Sequence, residues 1–145
     1  MIIQTKYFGD VDISESKIIQ FPKGIPGFID EQQFVILDMP TQQIFQVLQS
    51  VHTSELAFIV TNPYHFYKDY VIQLDDSLQK TLKIENEKDV TVFSIVTLKQ
   101  PFSTSTLNLR APIIVNVEEK LAKQYILDRY ETKAPMTSKE TPKGE

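Results

Sequence analysis

Phosphate chemistry would have its best opening at residues 21–30, FPKGIPGFID, which hold two of the chain's four glycines and two of its eight prolines. A P-loop needs Gly-x4-Gly-Lys-Ser/Thr, and a dinucleotide-binding turn needs Gly-x-Gly-x-x-Gly between a strand and a helix. Gly24-Ile25-Pro26-Gly27 has neither spacing. It matches a Gly-x-x-Gly nucleic-acid clamp in letters only, because that clamp joins two helices and this stretch joins two strand-like runs. The stretch reads as a corner. Pro22 and Pro26 fix φ, Gly24 and Gly27 supply positive φ, and Phe21 and Phe28 are expected to anchor the loop to the core.

Other chemistries find less. Zinc needs three or four ligands, and the chain has two histidines, His52 and His65, and no cysteine. Without cysteine there is also no thiolate nucleophile and no disulfide framework. The hydroxyl-rich STSTLN (103–108) lacks the surroundings of a nucleophile elbow. Asp75 and Asp76 form a pair of carboxylates, yet their place before a helical pattern makes capping the simpler use. These residues imply no cofactor, no metal and no enzyme.

Tyr64, Phe66, Tyr67 and Tyr70 crowd into PYHFYKDY (63–70). Base-stacking platforms interleave aromatics with Lys and Arg, and Lys68 is the lone one here. Two readings stand. Alternate members turn inward and cap one end of the fold, or outward ones form an anchor for a protein partner, where Tyr is enriched.

The elements that must position these groups follow from a period of two. KIIQF (17–21), QFVILD (33–38), IFQVLQS (44–50), ELAFIV (55–60), DYVIQL (69–74), VTVFSIVTL (90–98), PIIVNV (112–117) and QYILD (124–128) are rich in β-branched and aromatic residues. Pro, Asn or charged clusters separate them, so they read as short strands paired in antiparallel fashion. Leu78 and Leu82, four apart behind Asp75 and Asp76, predict one short helix. VEEKLAKQ (117–124) fits a helical turn or a polar connection equally well. The fold class expected is all-β: a small antiparallel β-barrel-like single domain over residues 1–131, with one short helix. Residues 132–145 are expected to be a flexible C-terminal tail, since APMTSKETPKGE offers little apolar surface to offset ordering.

With 15 Lys+Arg against 19 Asp+Glu, the formal charge is −4. Nucleic-acid binders concentrate positive charge, and no basic stripe occurs here, so no direct nucleic-acid contact is expected. A mildly acidic domain suits a basic protein partner. MIIQTKYFGDVDI lacks the pattern of a secretory signal, and no apolar run approaches the ~18 residues of a membrane span. The expectation is a cytoplasmic protein without membrane contact.

Three phrases in order carry a family resemblance: YFGDVDISESKIIQFPKGIPGF (7–28), FQVLQSVHTSELAFIVTNPYHFYKDY (45–70), and TLNLRAPIIVN (106–116) with KQYILD after it. Together they resemble the FliW family of flagellar assembly factors. The resemblance implies a regulator that antagonises CsrA, a small basic RNA-binding dimer which blocks translation of flagellin messenger RNA. It also implies that flagellin is a competing partner, so that export of flagellin switches the factor back to CsrA. On charge and placement alone, Asp75, Asp76, Glu85 and Glu87 are the candidates to face CsrA. The segment Tyr64 to Tyr70 is the candidate wall of an apolar trough for a flagellin helix. The alternatives are a chaperone that only shields flagellin and a single-stranded RNA-binding barrel.

Overall fold

The computed structural model describes residues 1–136. Among them the strands are β1 (Ile2–Gln4), β2 (Asp10–Asp12), β3 (Ile19–Gln20), β4 (Gln33–Asp38), β5 (Phe45–Ser50) and β6 (Ala57–Thr61). Helix α1 (Asp76–Thr81) follows, and then β7 (Val90–Thr97), β8 (Thr106–Leu107), β9 (Ile113–Asn116), β10 (Leu121–Gln124) and β11 (Ala134–Pro135).

β3 to β7 form an antiparallel meander, with Phe34 opposite Ser50 and Val47 opposite Ile59. The hairpin of β9 and β10 closes it into a ring. β9 pairs with the first half of β7, from Val90–Asn116 to Phe93–Ile113. β10 meets β3 in parallel at Leu121–Gln20, reinforced where Gln20 N–H donates to the Lys120 carbonyl at 2.8 Å. The second half of β7 carries β8, which in turn carries β11. The sheet is therefore strongly curled and barrel-like, as the alternation implied.

Alternation assigns the two faces. Phe34, Leu48, Val60, Phe93, Ile113 and Val115 point to one side and form the interior with Phe21. Phe21 and Phe34 meet edge to face at 5.1 Å, both with no exposed surface. Each large side chain so buried contributes about 1.5–3 kcal/mol. Residues one step out of phase face outward and need covers. The β1–β2 hairpin covers Val35 and Leu37 with Ile3 and Ile13. The aromatic segment and the end of the described chain cover Val96 and Leu107. Helix α1 covers Ile114 with Leu78 and Leu82.

Several expectations need correction. DYVIQL is not a strand. Two of its backbone groups are met by side chains instead of a strand partner: Val71 N–H donates to the Tyr130 hydroxyl at 2.9 Å, and Gln79 Nε2 donates to the Leu74 carbonyl at 2.8 Å. QYILD is not a strand either. The ladder stops at Gln124 because the neighbouring chain reaches Pro112, which has no N–H to donate. Within VEEKLAKQ the structure forms a turn over residues 117–120 and then β10. The β1–β2 hairpin had no counterpart in the sequence reading. The expected flexible tail starts too early: Ala134 pairs with Leu107, and Ala134 and Met136 are buried in the second cluster. Residues 137–145 of that tail lie outside the described residues.

Candidate protein-docking site

The corner at 21–30 behaves as its residue types dictate. Gly24 and Gly27 have φ of +67° and +90°, and Ile25 and Phe28 bridge across the turn. Phe21 is fully buried, whereas Phe28 is 44% exposed and meets Phe58 edge to face, ring centres 6.0 Å apart. Phe28 thus lies over the core rather than within it. Pro22 lies within the preceding Phe21–Gly24 turn and Pro26 within the Ile25–Phe28 turn; the Pro22 carbonyl accepts from Gln32 Nε2 at 3.1 Å. Glu31 fastens the corner to the β5–β6 turn by accepting from the Ser50 and Thr53 hydroxyls at 2.6 and 2.5 Å. Those two hydrogen bonds stabilise the carboxylate and hold the Glu31 pKa below its ordinary value.

The aromatic segment turns mostly inward. Asn62 accepts from Tyr64 N–H at 2.9 Å and starts a single 3-10 turn, Pro63–His65. Tyr70 is 4% exposed, and its ring lies 4.7 Å from that of Tyr130 while its hydroxyl donates to the Leu109 carbonyl at 2.5 Å. Burial pushes the Tyr70 pKa up. The Tyr67 hydroxyl donates to the Pro135 carbonyl at 2.5 Å, and Phe66 stacks on Phe45. Of the four, Tyr64 alone is left exposed, at 37%. Tyr67 and Tyr70 line a separate cleft of about 440 Å³ with Arg129 and Tyr130.

Helix α1 begins where Asp75 accepts from Leu78 N–H at 2.8 Å, an N-cap that satisfies one free amide of the first turn. Asp75 is thereby committed, while Asp76 in the first turn stands exposed. The helix ends against β9 through Asn116, which is 1% exposed. Its amide donates to the carbonyls of Leu82 and Lys83 at 2.7 and 3.1 Å, and its oxygen accepts from Glu118 and Glu119 N–H. One buried side chain therefore fixes both the helix end and the β9–β10 turn. Lys83 takes a φ of +56° directly after, and the chain returns through exposed Glu85 and Glu87.

That return leaves a groove of about 550 Å³. Leu74, Ile84, Val90 and Val92 form its floor, Tyr64 one wall, and Glu85 and Glu87 its rim. The floor residues are the half-buried members of the cluster under α1, so a six-residue helix leaves that cluster partly uncovered. A neighbouring hollow of about 510 Å³ holds Asp76 and Glu119 beside Lys80 and Lys83, so its charge is mixed. Of the residues singled out from sequence, the fold brings Tyr64, Glu85 and Glu87 into one groove, and Asp76 into the next, which Glu85 also lines. Phe66, Tyr67 and Tyr70 are spent on packing. The floor of Leu74, Ile84 and Val90 was missed: Leu74 and Val90 read as strand residues, and Ile84, half-buried in an irregular segment, carries no periodic signal.

Among the described residues, no group of three or more His, Cys, Asp or Glu side chains could hold a metal ion, and no helix is long and apolar enough to cross a membrane.

Comparison with known proteins places this fold. The family model for the FliW protein matches residues 2–136. A flagellar assembly factor FliW from Oceanobacillus iheyensis is 48% identical, over 100% of this chain and 100% of that protein. The one from Bacillus subtilis (strain 168) is 49% identical, over 94% of this chain and 96% of its own. A crystal structure of the flagellar assembly factor FliW superposes with a TM-score of 0.91 at 42% identity, covering 97% of this chain and 100% of that one. With sequence and fold in agreement over nearly its whole length, the chain belongs to the FliW family of flagellar assembly factors.

Proposed function

We propose that this protein acts in the cytoplasm as a translational regulator of flagellin, by binding CsrA and relieving the repression CsrA exerts. Flagellin is the competing partner, and its export returns the factor to CsrA. The observation that carries this reading is the exposed face around α1, where the carboxylates of Asp76, Glu85, Glu87 and Glu119 outnumber the ammonium groups of Lys80 and Lys83, on a domain of net charge −4. Potential of that sign complements a basic RNA-binding dimer and raises on-rate and selectivity more than affinity. It also repels an RNA backbone brought close to the complex, which lets the factor displace RNA without covering the RNA site. Asp75 contributes charge to this face, although its first role is to cap the helix. Tyr64 is the aromatic anchor left for flagellin.

A flagellin translational reporter tests the regulatory half. Deleting the gene for this protein lowers reporter output, and removing CsrA as well restores it. If output stays low in the double deletion, the protein is a flagellin chaperone without a part in translation.

A further inference from the structure

The cleft beside the aromatic segment shares no lining residue with the groove at α1. Tyr70, Leu109 and Ala134 form its floor, all of them buried. Tyr67 and Tyr130 are half-buried in its walls, and Asp69, Arg129 and Glu131 are exposed at its rim. Its volume, about 440 Å³, falls in the range of small-molecule sites. The tyrosine hydroxyls are turned to the protein's own backbone. Tyr67 donates to the Pro135 carbonyl, Tyr70 donates to the Leu109 carbonyl, and Tyr130 accepts from Val71 N–H. What they leave for an occupant is ring surface, which carries negative potential on its face.

One cation already uses that surface. The Arg129 guanidinium lies 5.4 Å from the centre of the Tyr130 ring, within the range of cation–π attraction. Among the described residues the ion pairs are Met1 with Asp12 and Arg110 with Asp128, and neither Arg129 nor Asp69 belongs to them. The ring therefore holds the guanidinium without help from a paired carboxylate. Burial first, and the charge of Glu131 second, hold the Tyr67 pKa above its ordinary value, so that carboxylate is felt at the second wall of the cleft. The rim sets two carboxylates against one guanidinium.

We propose that this cleft binds a small quaternary ammonium compound, with its methyl groups on Tyr70 and Leu109 and its charge shared between the Tyr130 ring and Asp69. Arg129, held only from the exposed side, gives up its place on the ring as the ligand enters. A quaternary nitrogen fits because it has no N–H to leave unpaired over a floor of Leu109 and Ala134, whereas a primary ammonium would lose hydration there. An anion would meet ring faces and two carboxylates. A bare metal ion would find too few oxygens, since the described residues form no group of three or more His, Cys, Asp or Glu around it. The inference goes beyond the regulatory reading and rests on neither CsrA nor flagellin.

The test titrates the full chain with choline, with sodium at the same ionic strength, and with 3,3-dimethylbutan-1-ol, the neutral isostere of choline. Amide chemical shifts are the readout. Choline is expected to give saturable shifts at residues 67–71, 109–111 and 129–134 that sodium does not give. The neutral alcohol and the Tyr130→Leu variant are each expected to weaken binding about fivefold or more, while Tyr130→Phe keeps it. Asp69→Asn weakens it about threefold. Arg129→Gln, at an exposed position, removes the competing guanidinium and strengthens binding about threefold. The fold of each variant is checked by its thermal midpoint. Shifts equal to those from sodium, equal binding of alcohol and choline, or weaker binding in Arg129→Gln would each overturn the proposal.

Discussion

Gly24→Val is expected to abolish stable folding at ordinary temperatures, or at the least to lower the thermal midpoint by roughly 10 °C or more. Two effects add. Valine at a φ of +67° occupies a region that β-branched residues almost never adopt, at a cost of about 1–2 kcal/mol. A Cβ at this position would also lie 2.5 Å from the carbonyl oxygen of Ile29 and 2.6 Å from its Cα. Both are backbone atoms, and Ile29 cannot retreat. The following residues are tied by the Glu31 amide to the Phe28 carbonyl and by the Glu31 carboxylate to Ser50 and Thr53. Gly27→Val supplies the control. Its φ of +90° carries the same backbone cost, but no heavy atom lies within 4 Å of its Cβ position, so about 1–2 kcal/mol is lost and the fold survives. Urea titration of the two variants separates them; similar midpoints would mean that the corner is looser than its geometry indicates.

Asn116→Ala has the next largest expected effect, about 2–4 kcal/mol. The side chain makes four hydrogen bonds while almost completely buried, and alanine strands the Leu82 and Lys83 carbonyls together with the Glu118 and Glu119 amides. Asn116→Asp does not rescue it. A carboxylate accepts from the two amides but meets the two carbonyls with no proton to donate. The loss also reaches the surface, since the chain held at Leu82 and Lys83 leads directly into Ile84, which lines the groove. Chemical denaturation gives the stability change, and hydrogen exchange of residues 78–90 gives its location. A fall in stability with unchanged protection there would place the damage elsewhere.

The parts of this fold that were legible in the sequence are those whose signal is local. QFVILD alternates between the interior and the hairpin cover, and its observed bounds are those read from pattern alone. Asp75, Leu78 and Leu82 declare the helix because capping and spacing lie within one turn of each other. DYVIQL has the composition of a strand, but its partners are the Tyr130 hydroxyl and the Gln79 amide, and no local rule brings Tyr130 to Val71. The chain end misled for a related reason. Met136 is a single large apolar side chain, too little to order a segment by itself, yet it enters a cluster already built by Val96, Leu107 and Leu109. Tyr64, Glu85 and Glu87 were each visible as exposed or unusual residues. Their meeting in one groove depends on how far a six-residue helix covers the sheet beneath it, which is set by Asn116 and by the turn at Lys83.

Seen through its covers, the barrel is a rigid support for surfaces: a hairpin, an aromatic cap and a short helix that leaves one apolar cleft open beside acidic groups. The central claim is that the protein works by occupying other proteins in turn. Size-exclusion chromatography of the purified chain with CsrA, followed by addition of flagellin, tests it most directly. The account predicts co-elution with CsrA, and release of CsrA as flagellin takes its place in the complex. Separate elution of this chain from both proteins at micromolar concentrations, or a complex with CsrA that flagellin leaves intact, would contradict it.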